Sequence, residues 1–303
     1  AKGWLTPTTN KAFGSWRAGN SGYVVGGTSW NFCAKEFFED KFDYIFIDEA
    51  AQFSLVDAIA VSANANNLVL LGDPRQLTQV VQAIHPGGVD NSALGHYMGD
   101  AAILEPESGY FLEVTRRMHP AINAPVSNLS YQNKLHSHPE TIQNVVPGIA
   151  PGLITLAIEH QANSSSSIEE AEAVVQIAKT QVAKLGPSEV LVVAPYNAQV
   201  DLIRTMLDGA GLKDVAVGTV DKFQGREAMV VIVSLAASSA LDAPRGLDFL
   251  LDRNRLNVAI SRAKANCYLV YSPSLTKSRF RDIEELKAIS RLNGLLEQAS
   301  PAA

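Results

Sequence analysis

Cysteine is scarce in this chain of 303 residues. Cys33 and Cys267 lie far apart, with no C-x-x-C pair and no histidine pairing nearby. That spacing reads as two reduced thiols in or near a core, and the expected compartment is the cytoplasm. Long apolar runs are missing too: no window approaches the ~18 uninterrupted apolar residues of a membrane span, and the first residues do not read as a signal peptide. No membrane partner is expected. An excess of positive charge is also lacking, since Lys and Arg number 25 against 31 Asp and Glu, for a net charge of −6. Polyanions are therefore not attracted globally, and such binding would need local clusters such as Lys222, Arg226, Arg253, Arg255 and Arg262.

What is present suits a globular α/β protein. The length allows two domains at about 100–200 residues each, and 47% hydrophobic with 18% charged residues is an ordinary globular composition. The most informative stretch is Asp43-Tyr44-Ile45-Phe46-Ile47-Asp48-Glu49-Ala50-Ala51-Gln52. Its apolar run predicts a strand buried on both faces, ending in two carboxylates where open α/β sheets place ligands. One oxygen ligand for Mg²⁺ and a neighbouring carboxylate to polarise water would suit phosphoanhydride hydrolysis. An ordinary strand followed by a helix with acids in its first turn fits the same letters.

Along the chain, the first twenty residues show no callable period. Residues 23–30 predict a short strand into a Gly-Gly turn. A helix is expected over 56–65, and a buried strand over 68–71 running into Gly72-Asp73-Pro74-Arg75-Gln76-Leu77. A Gly- and Pro-rich loop at 85–88, a short helix at 92–98 and a strand at 109–114 follow. Residues 131–152 read as a connecting excursion. The second domain should then run as strand 152–159, helix from Ser167, strand 190–194, helix 198–207, strands 215–217 and 229–235, helix 253–263, strand 267–270 and a helix from about Arg281. Ser167 and Glu170 form a candidate capping box, with Ile168, Ala171, Val175, Ala178, Val182 and Leu185 on the apolar face. Strands alternating with helices predict two parallel α/β sheets in series.

Six motifs follow in order. They are Asp48-Glu49-Ala50-Ala51-Gln52, Gly72-Asp73-Pro74-Arg75-Gln76-Leu77, Arg117-Met118-His119-Pro120, Ala194-Pro195-Tyr196-Asn197-Ala198-Gln199, Gly218-Thr219-Val220-Asp221-Lys222-Phe223-Gln224-Gly225-Arg226-Glu227, and Arg255-Leu256-Asn257-Val258-Ala259-Ile260-Ser261-Arg262-Ala263-Lys264. This succession resembles the motor core of superfamily 1 helicases. The nearest branch is that of the RNA-surveillance and Okazaki-fragment-processing helicases, and within it the helicase half of bacterial proteins that also carry a RecB-like nuclease half. The resemblance implies two RecA-like parallel-sheet domains in tandem, residues 1–115 and 116–303, the first N-terminally truncated. It implies ATP and Mg²⁺ as cofactors, single-stranded nucleic acid as partner (DNA rather than RNA), 5′→3′ movement and a nuclease domain in the parent chain.

By the same resemblance Asp48 would hold Mg²⁺ and Glu49 would activate the attacking water. Gln76 would report the γ-phosphate, and Arg117 and Arg262 would act from the far side of a cleft as arginine fingers, a role supplying factors of about 10³–10⁵ elsewhere. Gln224 and Gly225 would approach phosphate and Glu227 the ribose. Thr28, Tyr196, Asn197 and Thr219 would line the strand groove, reading no sequence. Simpler readings stand beside these: a surface ion pair for Arg262, turn chemistry for Arg117 and Gln224-Gly225, a structural role for His119, and packing rather than base stacking for Tyr196.

Three departures qualify the resemblance. No Gly-Lys dipeptide occurs, so the phosphate loop G-x-x-x-x-G-K-[ST] is missing and the chain reads as a truncated piece with a gap in its first sheet, inactive alone. Arg116 stands where relatives often have an adenine-stacking aromatic residue, and Lys264 replaces a second arginine. The competing reading is a non-enzymatic nucleic-acid-binding or interaction module that kept the fold.

Overall fold

The computed structural model describes residues 9–20, 22–38, 41–77, 88, 91–99, 101, 103–277 and 280–302. The chain divides into two compact units, Ala1–Ala101 and Ala102–Ala303. Both carry parallel sheets, the tandem α/β arrangement of two RecA-like folds. No helix among the described residues is long and apolar enough to cross a membrane.

In the first unit, α1 (Asn10–Arg17) is capped by the Thr9 side chain, a helix that the scattered apolar residues there do not signal; residues 1–8 lie outside the described residues. The strand expected over 23–30 does not form. Instead Thr28 caps the short α2 (Ser29–Phe32) in a closed box with Asn31. After α3 (Lys35–Phe38) come β1 (Phe42–Ile47), α4 (Leu55–Ser62), β2 (Ala65–Leu70) and α5 (Ala93–Met98). The two strands pair in parallel, Phe42 opposite Ala65 through Ile47 opposite Leu70. Ile45 and Ile47 pack with Ala50, Ala51, Ala58, Val61, Ala93 and Leu94. The opposite face is open: Tyr44 and Phe46 are 57% and 64% exposed. The expectation of a strand buried on both faces is therefore corrected, because among the described residues only one face of β1 has a helical layer. Residues 85–87 of the expected Gly- and Pro-rich loop lie outside the described residues.

The second unit opens with β3 (Val114–Thr115), α6 (Pro120–Ser130) and β4 (His136–Ser137), β3 pairing with β4. Only Val114 of the strand expected at 109–114 is extended in a ladder. Then follow β5 (Gly152–Ala157), α7 (Ile168–Leu185), β6 (Val190–Val193), α8 (Asn197–Gly209), β7 (Ala216–Gly218), β8 (Ala228–Ser234), α9 (Gly246–Leu250), α10 (Arg253–Ser261), β9 (Ala263–Tyr271), α11 (Pro273–Thr276), α12 (Ile283–Glu297) and β10 (Ser300–Pro301). The six-stranded sheet has order β10-β5-β9-β8-β6-β7 and every pair is parallel. Its β6 and β8 are almost wholly buried, as apolar runs covered on both faces require. Ala171, Val174, Val175, Ala178, Ile203 and Leu207 of α7 and α8 pack on Val190, Val192, Val230 and Ile232. Ile168, placed on that apolar face by spacing, is 61% exposed because it is the first residue of the helix.

Candidate functional site

In the first unit the two strand ends are brought together by backbone contact. Ala50 N–H donates to the Leu71 carbonyl at 2.8 Å, and Leu71 N–H to the Ile47 carbonyl at 2.8 Å. A Cβ on Gly72 would lie 2.9 Å from the Ala50 nitrogen, so only glycine fits where the second strand leaves the sheet. Asp48 and Glu49 sit exposed at this edge. Asp48 Oδ1 accepts the Glu49 N–H at 3.0 Å, and Glu49 holds φ at +53°, a left-handed conformation that strains a residue with a side chain. At the end of β2, Asp73 accepts from Arg75 N–H at 2.8 Å and from the Gln76 side-chain amide at 3.2 Å. Thr28 is exposed, but its hydroxyl donates to Asn31 Oδ1 at 2.7 Å within the cap of α2.

The second unit sorts its candidate residues to opposite ends of one sheet. Tyr196 and Asn197 follow β6, and Thr219 follows β7, all at the C-terminal edge. Glu227 and Arg262 immediately precede β8 and β9, at the N-terminal edge. Val193 stands opposite both Gly218 and Val233, whereas Ala228 begins β8. The segment 219–227 therefore runs back along the sheet for about 15–20 Å. Gly225 makes this return possible with φ at +76° and open space where a side chain would be.

At the N-terminal edge, Glu227 accepts from Arg117 Nε at 2.6 Å and from Lys264 Nζ at 2.8 Å. The hydrogen bonds from Lys264 and then Arg117 hold its carboxyl below the usual range. Arg117 Nη1 also donates to the Ser261 carbonyl at 3.3 Å. Arg262 is buried, donating from Nε to the Val258 carbonyl at 3.2 Å and from Nη1 to the Arg226 carbonyl at 3.4 Å. Arg117, Glu227 and Arg262 thus converge, and Lys264, a departure from the helicase pattern in the sequence, completes the ion-pair cluster. Gln224 lies half-buried beside Gly225. His119 is structural here: it caps α6 by accepting the Ala121 N–H at 3.1 Å, and its own N–H donates to the Lys264 carbonyl at 2.8 Å.

At the C-terminal edge Tyr196 is buried with its ring 5.8 Å from that of Phe249. Burial pushes its phenol up to about 12, and among the described residues the hydroxyl has no hydrogen-bond partner. Asn197 is exposed at the first position of α8. Behind this edge lies a network that sequence reading missed. Glu170, expected to close a capping box, turns inward to accept from Ser234 Oγ at 2.6 Å and Ala236 N–H at 2.9 Å, and faces His160 Nε2 at 3.0 Å. Its place on the Ser167 N–H is taken by Gln199 Oε1 at 2.8 Å. Of the two thiols, Cys267 is fully buried, its pKa pushed up to about 12, while Cys33 is exposed rather than near a core.

Comparison with known proteins adds the following. A family model described as AAA domain matches residues 90–274. An uncharacterized ATP-dependent helicase of Methanocaldococcus jannaschii is 30% identical over 260 residues, 78% of this chain and 37% of that protein. The DNA replication ATP-dependent helicase/nuclease DNA2 of Gallus gallus is 28% identical over 275 residues, 88% of this chain and 26% of that protein. The RNA helicase Mov10l1 of Mus musculus is 29% identical over 270 residues, 77% of this chain and 23% of that protein. The chain spans between 23% and 37% of the length of these curated relatives.

Proposed function

This chain belongs to the AAA-domain family and has a helicase-like P-loop NTPase fold; on that footing we propose that it is motor core of an ATP-dependent helicase or translocase acting on single-stranded nucleic acid. The observation that carries the reading is the segment 219–227, which joins Thr219 at one end of the second sheet to Glu227 in its basic cluster at the other. A motor needs such a link, because a change at the nucleotide must be felt by the strand.

Asp48 and Glu49 supply the hard oxygen donors that suit Mg²⁺ and a polarised water. Mg²⁺ in nucleotide sites is commonly held by one or two carboxylates together with waters and substrate phosphates. Mg²⁺ bound there would neutralise charge on the phosphates. Asp48, whose Oδ1 accepts the Glu49 N–H, is the carboxylate that would hold that ion. Glu49 orients the attacking water and takes its proton, and Gln76 reports the γ-phosphate. In the second unit, Arg117 and Arg262 stabilise phosphoryl charge, and Gln224, Gly225 and Glu227 serve the nucleotide. Glu227 is held by two cations, so on this reading ribose must compete with Arg117 and Lys264 for its oxygens.

Finer assignments belong to the same proposal. The superfamily 1 branch, DNA over RNA, 5′→3′ direction and a nuclease domain in the parent rest on the ordered motifs and on the helicase/nuclease among the relatives, and a cytoplasmic setting rests on the isolated cysteines. With no Gly-Lys dipeptide in its 303 residues, the chain by itself hydrolyses ATP weakly or not at all, and its own testable activity is strand binding. The test is the affinity of the chain for oligothymidylate across a salt series. Binding that weakens with salt, and further on Asn197→Ala and Thr219→Ala, is expected. Absence of binding at low salt contradicts the strand-binding half of the reading.

A further inference from the structure

The loop after β8 and the start of α10 build a feature that none of the six motifs includes as a whole. The Arg245 guanidinium carbon lies 3.7 Å from the centre of the Phe249 ring, and that of Arg255 lies 4.3 Å from the same centre. Two cations over one ring gain from its quadrupole but repel each other. Arg255 is compensated: its Nη1 pairs with Asp221 at 3.3 Å. Arg245 is exposed, and among the described residues no carboxylate stands within ion-pair distance of it. The neighbouring acids are occupied elsewhere, Asp242 accepting from Ser239 Oγ at 2.6 Å and Asp252 capping α10 by accepting the Arg255 N–H at 2.8 Å. Asp248 is exposed one residue before Phe249.

A second, independent observation sits against the same ring. Tyr196 is 8% exposed, packs on Phe249, and keeps a buried hydroxyl that has no partner among the described residues. A buried unmatched hydroxyl is costly unless something completes it. A donor hydroxyl and an uncompensated guanidinium that pack against the same ring match an anionic oxygen that accepts from both. Because the Tyr196 ring is buried, stacking on a base is closed to it, and its hydroxyl is the group left to act.

We propose that Arg245, held over the Phe249 ring, forms with the Tyr196 hydroxyl a binding point for one phosphodiester of the single strand. The inference rests on the strand-binding reading above and deepens it: contact is with the backbone, not the bases, so it carries no sequence preference. Phe249 acts as a positioning residue that fixes both guanidiniums.

The test uses the 303-residue chain, labelled oligothymidylate and a labelled abasic strand of equal length, with affinities measured over a salt series. Arg245→Gln is expected to weaken binding roughly tenfold and to reduce the salt slope by about 0.7, the value for one phosphate on a single strand. Tyr196→Phe, which removes one oxygen and keeps the ring, is expected to weaken binding several-fold with an unchanged salt slope. Both losses should be equal on the abasic strand. Wild-type affinity and slope in both variants, while the parent chain still binds, would overturn this site and leave the functional reading standing. Losses that vanish on the abasic strand would show base recognition and also overturn it. If the unaltered chain binds neither strand, the functional reading falls and this site with it. An unchanged thermal midpoint for Tyr196→Phe separates lost contact from lost fold.

Discussion

Arg117 and Glu227, 110 positions apart in sequence, meet at 2.6 Å where β8 enters the sheet. Lys264 reaches the other carboxylate oxygen at 2.8 Å, so one acid joins the turn before α6, the start of β8 and the start of β9. The side chains of Arg117 and Glu227 are 31% and 40% exposed, and solvent screening limits the pair to about 0.2–1 kcal/mol. A double-mutant cycle of Arg117→Ala and Glu227→Ala, read by chemical denaturation, should return a coupling in that range. A coupling of several kcal/mol would mean that the cluster is the structural keystone of this unit rather than a preset nucleotide contact.

The pH response has two steps with the same sign. Burial lowers the His119 pKa below 6.5, and hydrogen bonds from Lys264 and Arg117 lower that of Glu227 below 4.5. In each case the unfolded chain takes up protons first as pH falls, so the stability contribution is complete above the unfolded value and is lost on the way to the folded one. His119 also accepts the Ala121 N–H at the cap of α6, and a proton there removes that acceptor. Denaturation midpoints should therefore decline from about pH 6.5 downward in wild type, less so in His119→Asn, which keeps a capping acceptor. Identical slopes for the two proteins between neutrality and pH 5.5 would contradict the role given to His119.

Glu49 stores backbone strain at the edge where water activation is assigned. Its φ of +53° is imposed by the Ala50–Leu71 and Gln52–Glu49 backbone bonds. Glu49→Gly should raise the stability of the first unit by about 1 kcal/mol, because glycine adopts this conformation without penalty. Glu49→Gln should leave stability unchanged within about 0.5 kcal/mol. Thermal unfolding of the three proteins checks this, and destabilisation by glycine would show that the turn is unstrained.

Glu170 is fully buried, accepts from Ser234 Oγ and Ala236 N–H, and pairs with His160 Nε2. Truncation to alanine strands those groups, and a loss of about 3–5 kcal/mol is expected by chemical denaturation. A loss under 1 kcal/mol would mean that the network is not held closed.

The second sheet was legible in the sequence because its strands are buried on both faces: Val190–Val193 and Ala228–Ser234 are apolar runs with no alternation to misread. Tyr44 and Phe46 misled for the same reason, since an apolar run does not reveal which face a partner layer covers. The Ser167 and Glu170 spacing signalled a helix start correctly, but a local motif cannot show that Gln199, 32 positions away, takes the Ser167 N–H and frees the carboxylate. The short strand at 23–30 failed because Thr28 and Asn31 close a cap that ends extension. At the candidate site, the ordered motifs named Arg117, Glu227 and Arg262, whereas Lys264 and Arg245 acquire partners only through folding.

The most direct measurement is ATP hydrolysis, with and without oligothymidylate, by the parent protein carrying a Gly-Lys-Thr or Gly-Lys-Ser loop together with these residues. Turnover stimulated by the strand, reduced at least about a hundredfold in Glu49→Gln and in Arg262→Ala, and absent from the 303-residue chain alone, is the predicted result. Strand binding without turnover in the parent, or turnover indifferent to Glu49→Gln, would contradict the motor and leave a nucleic-acid-binding module in its place.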